Sequence, residues 1–370
     1  METEKELIIE KPKNPIKRGN LNYLGFHKFV GMYLIIRMHI YDNKRMPFDF
    51  GIRMCELLFI SSGFLVGYNY YNKSVEYSYS SSIKYAYKHL RSFYPYYLIN
   101  LFYGLYLNRD KIKFNITNIE LLLINLLLIA NWSSHRKIAR FYFGISWFLD
   151  NIFYCYTISN FLLTTINNMK NSLKLLFLVG FTRIITEELL HRGAYNVFDT
   201  NFHCGPIIRL LEFYFGMLLT PIYFQIKKSL DKLKNNILFK IIFTTIQIII
   251  PILLYHIFVK YEKTLLRCYF VLITSVYIII ISYDYGVVSN IVSNKIFKII
   301  MSAQLEMYLI QFNANVTFET YFRNKRENNI SKLLIYYIKI IIIFGISYTY
   351  RIFLRDKLAY LMDKIIFSFI

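Results

Sequence analysis

The chain has 370 residues, of which 55% are hydrophobic and 19% aromatic, and its mean hydropathy is +0.35. That is too apolar for a soluble globule of ordinary usage. Its formal charge of +21 comes from Lys and Arg runs placed between apolar segments, the pattern of cytoplasmic loops and headgroup contacts, so nucleic-acid binding is set aside as its origin. The composition predicts an all-α, polytopic protein of the lipid bilayer.

Residues 1–20 form a polar tail whose Lys11, Lys13, Lys17 and Arg18 predict a cytoplasmic N-terminus. The tail lacks the apolar core of a cleaved signal peptide, which leaves insertion to the first transmembrane helix. Apolar segments follow at 21–41, 50–71, 92–107, 118–131, 144–166, 172–186, 207–226, 237–259, 265–283, 296–318 and 331–355. The segments 118–131 and 172–186 are short for a bilayer core of roughly 30 Å, and the second carries Lys174 and Arg183. Ten crossings would put the Lys227, Lys228, Lys232 and Lys234 loop and the Arg355, Lys357 and Lys364 tail inside with the N-terminus; eleven would put them outside. About ten transmembrane helices are therefore expected, one short segment being re-entrant or peripheral, with the Arg323, Lys325 and Arg326 loop outside. No repeat or linker divides the chain. The expected organisation is a basic tail over 1–20, one transmembrane domain over 21–355 and a short basic segment over 356–370.

The first two segments hold the most chemistry. The first carries Lys28, Arg37 and His39; the second carries Glu56 and then Ser61-Ser62-Gly63. In a tight helical hairpin His39 lies about a turn before the loop and Glu56 one to two turns after it, so the two fall at similar depth. Ionisable groups at membrane depth are costly and face a partner or a water-filled cavity. A functional pair and a hydrogen bond that merely locks two helices both fit. Ser61, Ser62 and Gly63 allow close approach of a backbone or a thin ligand.

The 72–91 loop brings Lys73, Lys84, Lys88, His89 and Arg91 to the inner surface, where clustered cations suit a polyphosphate or simply obey positive-inside bias. Trp147 opens the fifth segment as an interfacial anchor, and Asp150 is an acid at membrane depth wanting a partner. Arg209 and Glu212, three apart, are expected to pair. Glu306 and Gln311 lie inside a later span and could line a cavity. His191, His203 and His256 have no partners at ligand spacing, and Cys55, Cys155, Cys204 and Cys268 are too far apart for a metal or redox motif. No metal is expected.

Together these runs resemble the integral-membrane acyltransferase 3 family, the polytopic O-acyltransferases of cell-envelope glycans, over about residues 21–320. In that family an Arg precedes the histidine taken to be catalytic by eleven positions, a spacing kept here as Lys28 and His39. Glu56 through Leu65 match the next signature, an acid followed by a Ser-Gly-Phe-Leu run. The family's two arginines three apart, implicated in donor binding, align with His89 and Ser92, while Lys88 and Arg91 keep the spacing one residue earlier. Trp147, Arg209, Phe215 to Leu218, and Leu305 to Gln311 match further motifs, with Gln311 where His is usual.

The resemblance implies acetyl-CoA or another acyl-CoA as a cytoplasmic donor substrate, no tightly bound cofactor, and a glycan hydroxyl as acceptor. His39 would be the general base and Glu56 its orienting partner. Lys28, Lys88, His89 and Arg91 would meet the donor, and Ser61, Ser62, Gly63, Trp147, Asp150, Glu306 and Gln311 would line the cavity. His39, roughly 16 Å along the helix from Lys28, would be reached by a threaded pantetheine arm. A transporter or flippase would instead use His39 and Glu56 for proton coupling and predicts an inverted repeat, which the sequence does not show. An inactive scaffold is the remaining reading.

Overall fold

A computed structural model describes residues 21–40, 48–73, 78–111, 115–132, 146–166, 169–191, 205–261, 269–322 and 329–367, and among these there are helices and turns but no strand. The helices are α1 (Asn22–Ile40), α2 (Phe48–Tyr70), α3 (Tyr79–Leu90), α4 (Tyr94–Leu107), α5 (Ile116–Leu126), α6 (Ser146–Leu163), α7 (Met169–His191) and α8 (Pro206–Leu230). They continue with α9 (Ile237–Tyr261), α10 (Phe270–Ile281), α11 (Val287–Val292), α12 (Lys295–Ser302), α13 (Gln304–Phe322), α14 (Asn329–Phe353) and α15 (Arg355–Phe367).

The eleven apolar segments all become helix, and their starts have local causes. Asn115 caps α5, its side chain accepting from the Asn118 N–H at 2.8 Å. Pro206 opens α8 after extended Gly205, where a missing N–H costs nothing. Pro206–Leu230, Ile237–Ile257 and Leu334–Phe353 are each long and apolar enough to cross a membrane by length and composition. The last two present mostly exposed apolar surface, whereas the first is largely buried: on α9, Ile241, Ile248, Ile252 and Leu253 are all exposed, an outward apolar face suited to lipid. Of the two doubtful segments, α7 at 23 residues reaches about 35 Å, whereas α5 at 11 residues reaches only about 16 Å.

Four helices lie where hydropathy showed none of their own, one being the short α11 between the segments read as 265–283 and 296–318. Helix α3 occupies the stretch read as a loop; Ser82, Tyr85, Ala86 and Leu90 are buried on one face while Lys84 and Lys88 are exposed on the other. Helices α12 and α13 divide the segment read as 296–318, and the Ser302 carbonyl left at the break accepts a bond from Arg351 Nη1. Helix α15 runs through most of the short basic segment expected over 356–370.

The chain forms two compact units interleaved in sequence. The first comprises Met1–Gly31, Pro47–Tyr85 and Tyr154–Met301; the second comprises Met32–Met46, Ala86–Phe153 and Ser302–Ile370. Helices α1, α3 and α6 each contribute to both, and Ser302, the last residue of α12, falls in the second. At the heart of the first unit α2 packs on α8, with α7 and α10 alongside. A Cβ on Gly63 would overlap the Phe213 carbonyl, and one on Gly216 would overlap that of Ile60. The two backbones therefore touch, as small residues permit in membrane helix pairs. In the second unit α13 packs on α4 and α14, and α15 on α4 and α14.

Candidate functional site

In the first unit, six ionisable side chains from α2, α7 and α8 meet at the α2–α8 contact. Arg53 Nη1 lies 3.0 Å from Glu56 Oε2, and Arg53 Nη2 lies 2.7 Å from Glu187 Oε1. Arg183 stands at the centre, 2.7 Å from Glu187, 2.8 Å from Glu212 and 3.5 Å from Glu56. Arg209 pairs with Glu212, as their spacing predicts. Thr274 of α10 donates to Glu56 Oε1 at 3.2 Å. All six side chains are at most 5% exposed. Three guanidiniums balance three carboxylates, the condition under which charge is tolerated away from water. Aromatic faces add to this: Arg53 lies 4.9 Å from the Phe270 ring centroid and Arg209 5.4 Å from that of Phe59.

Glu56 thus has both carboxylate oxygens engaged by Arg53, Arg183 and Thr274. His39 belongs to the second unit, exposed in the last turn of α1. Its backbone carbonyl accepts from Asn315 Nδ2 at 3.3 Å, and Lys339 Nζ donates to Asn315 Oδ1 at 3.3 Å. The loop expected to join the two helices, 41–47, lies outside the described residues.

Two other expected site residues of the first unit do meet: Lys28 Nζ is 3.4 Å from Ser62 Oγ. Ser61 and Ser62 also bond back to the Leu57 and Leu58 carbonyls, the usual way a helix satisfies buried hydroxyls. Gly63 is accounted for by the α8 backbone pressed against it.

In the second unit, Asp150 is buried and its Oδ2 accepts from the Asn131 N–H at 3.0 Å, while Asn131 Nδ2 donates to Asn151 at 2.9 Å. This supplies the partner that Asp150 requires. Trp147 is buried rather than spread at a surface, and its ring meets Phe148 edge-on. Glu306 and Gln311 are both fully buried on α13. Of the cations expected to meet the donor, Lys88 is exposed and His89 partly so. Arg91 lies 2.6 Å from Asp363 of α15, and Tyr87 donates to the same carboxylate at 3.2 Å. Burial, then the Asp363 charge, pushes the Tyr87 phenol up to about 12.

Arg53, Arg183 and Glu187 were missed as members of a network. Their helical spacings, Arg53 to Glu56 at i,i+3 and Arg183 to Glu187 at i,i+4, were the available signal. A second omission is His27, buried on α1, whose Nδ1 bonds the Tyr277 hydroxyl and whose ring meets Tyr23 edge-on at 4.4 Å. Among the described residues no group of three His, Cys, Asp or Glu side chains could hold a metal ion.

A family model described as an acyltransferase domain, acyltransferase 3, matches residues 23–352, nearly the whole chain. No curated protein and no solved structure matches it.

Proposed function

The chain belongs to the acyltransferase 3 family, and on that premise we propose that it is a membrane O-acyltransferase moving an acetyl or other short acyl group from acyl-CoA to a hydroxyl of a cell-envelope glycan. The observation that carries the reading is the family match over 23–352 together with the motifs at Lys28, His39 and Glu56 within it. About ten crossings, a cytoplasmic N-terminus and a place in the cell membrane complete the proposal, supported by loop charge.

In this reading the neutral His39 imidazole takes the proton of the acceptor hydroxyl as its oxygen attacks the thioester carbonyl. The carbon–sulfur bond breaks, the acyl group leaves on the glycan oxygen, and the imidazolium returns its proton to the coenzyme A thiolate. Lys88, His89 and Arg91 meet the donor phosphates, with Lys28 further in. By its place in the family motif Glu56 is assigned the orienting role in this reading. Its place in the buried ionic network favours a second duty, holding α2, α7 and α8 together.

Mass spectrometry of envelope glycans from cells with and without the intact gene tests the assignment. Loss of one acyl substituent, restored by the wild-type gene and not by His39→Ala, is the expected result. Unchanged acylation with altered export of the glycan would support the transporter reading instead.

A further inference from the structure

In the second unit, where α4, α13, α14 and α15 meet, buried polar groups face one another without closing their bonds. Arg355 Nη1 lies 3.6 Å and Arg351 Nη1 3.9 Å from the same Oε1 of Glu306. Both separations exceed a hydrogen bond. Neither Glu306 oxygen nor the Arg355 Nε has a hydrogen-bond partner among the described residues, and the same holds for the buried hydroxyls of Tyr96, Tyr350 and Ser347. The Tyr96 and Tyr350 rings are 4.1 Å apart, so these groups share one small region. Buried polar atoms are rarely left unsatisfied, and a cluster of them points to something that binds there.

The charge balance states what kind of group this is. A second carboxylate, Asp356, lies 3.6 Å from Arg355 Nε but is 92% exposed and screened by solvent, so inside the cluster two guanidiniums face the single buried carboxylate of Glu306 and leave a positive charge over. Hydroxyl and guanidinium donors together call for acceptor oxygens. Arg355 also lies 5.7 Å from the Phe93 ring centroid, two residues beyond Arg91, so the surplus charge adjoins the basic turn between α3 and α4. Arg355 itself stands outside the residues matched by the family.

We propose that Arg351 and Arg355, oriented by Glu306 and flanked by the Tyr96, Tyr350 and Ser347 hydroxyls, bind a phosphate group. The phosphate belongs either to the coenzyme A of the donor, which rests on the acyltransferase reading, or to an anionic phospholipid headgroup, which does not.

The full-length protein in phosphatidylcholine nanodiscs, titrated with coenzyme A and with phosphate-free pantetheine, addresses the first source. Exchange of the lipid for phosphatidylglycerol, read as a rise in thermal stability, addresses the second. The variants are Arg351→Gln with Arg355→Gln, and Arg351→Lys with Arg355→Lys, the latter keeping charge but losing the planar fork. For a donor phosphate, the Gln pair weakens coenzyme A at least tenfold and leaves pantetheine unchanged. For a headgroup, it abolishes the phosphatidylglycerol stabilisation and leaves coenzyme A unchanged. The Lys pair shows the same loss in part, and it carries the test if the Gln pair does not fold. Folded variants that keep both the coenzyme A affinity and the lipid response overturn the site, while coenzyme A binding by the wild type leaves the acyltransferase reading intact. A wild type that binds no coenzyme A but loses its lipid response on substitution has the converse meaning: the phosphate site stands and the acyltransferase reading falls.

Discussion

Replacing Arg183 by Met tests the buried network at its centre. The change removes contacts of 2.7 Å to Glu187, 2.8 Å to Glu212 and 3.5 Å to Glu56 and leaves three buried carboxylates against two guanidiniums. Breaking one member of a buried ionic cluster costs about 3–5 kcal/mol, because the partner charge stays without compensation. In a domain of this size that lowers the melting temperature by on the order of 10 °C. The assay is thermal unfolding of the purified protein in nanodiscs, followed by loss of monodispersity and by tryptophan emission. Adding Glu212→Gln to Arg183→Met restores the charge balance and should recover at least ~1 kcal/mol relative to the sum of the single changes. If Arg183→Met melts within 2–3 °C of the wild type, a shift worth only about 1 kcal/mol, the network does not stabilise this unit and the reasoning fails.

Gly63→Val should destabilise by about 1–3 kcal/mol, since its Cβ meets the Phe213 carbonyl across the α2–α8 contact; wild-type melting of that variant would show that the helices do not touch there. Asp284, in the turn after α10, has its carboxyl raised from 3.8 to about 6, chiefly by burial. The folded state therefore binds the proton more tightly, so this contribution to stability is full below about pH 4 and is lost as pH rises through 6. Asp284→Asn should flatten the fall in melting temperature between pH 5 and 7.5, and an unaltered slope in that variant would contradict the assignment. Glu56→Gln should lower the melting temperature, because Arg53 and Arg183 lose an anion, while reducing acyl transfer less than His39→Gln does; transfer abolished at unchanged stability would argue for a purely catalytic carboxylate.

Hydropathy made the helical architecture legible, since each apolar segment is helix and the weak 118–131 segment shrinks to an 11-residue α5. It passed over α3 and α15, whose single apolar stripe is diluted by Lys84, Lys88 and Asp363 in any window average. The Arg209–Glu212 pair was readable because both ends lie on one helix. Arg53 on α2 joins Arg183 and Glu187 on α7, and Arg183 in turn joins Glu212 on α8; helix-to-helix register is set by the Gly63 and Gly216 packing rather than by local spacing. The same limit applies to Gln311: a polar residue in an apolar run marks depth, while its surroundings depend on α13 meeting its neighbours.

The central claim is acyl transfer with His39 as general base, and turnover of labelled acyl-CoA onto the native glycan by the reconstituted protein tests it most directly. The account predicts acyl transfer by the wild type and a loss on the order of 10²–10⁴-fold in His39→Gln, which keeps hydrogen bonding but cannot accept the proton, with insertion and melting unchanged. Substantial turnover by His39→Gln, or no transfer by the wild type, would contradict it.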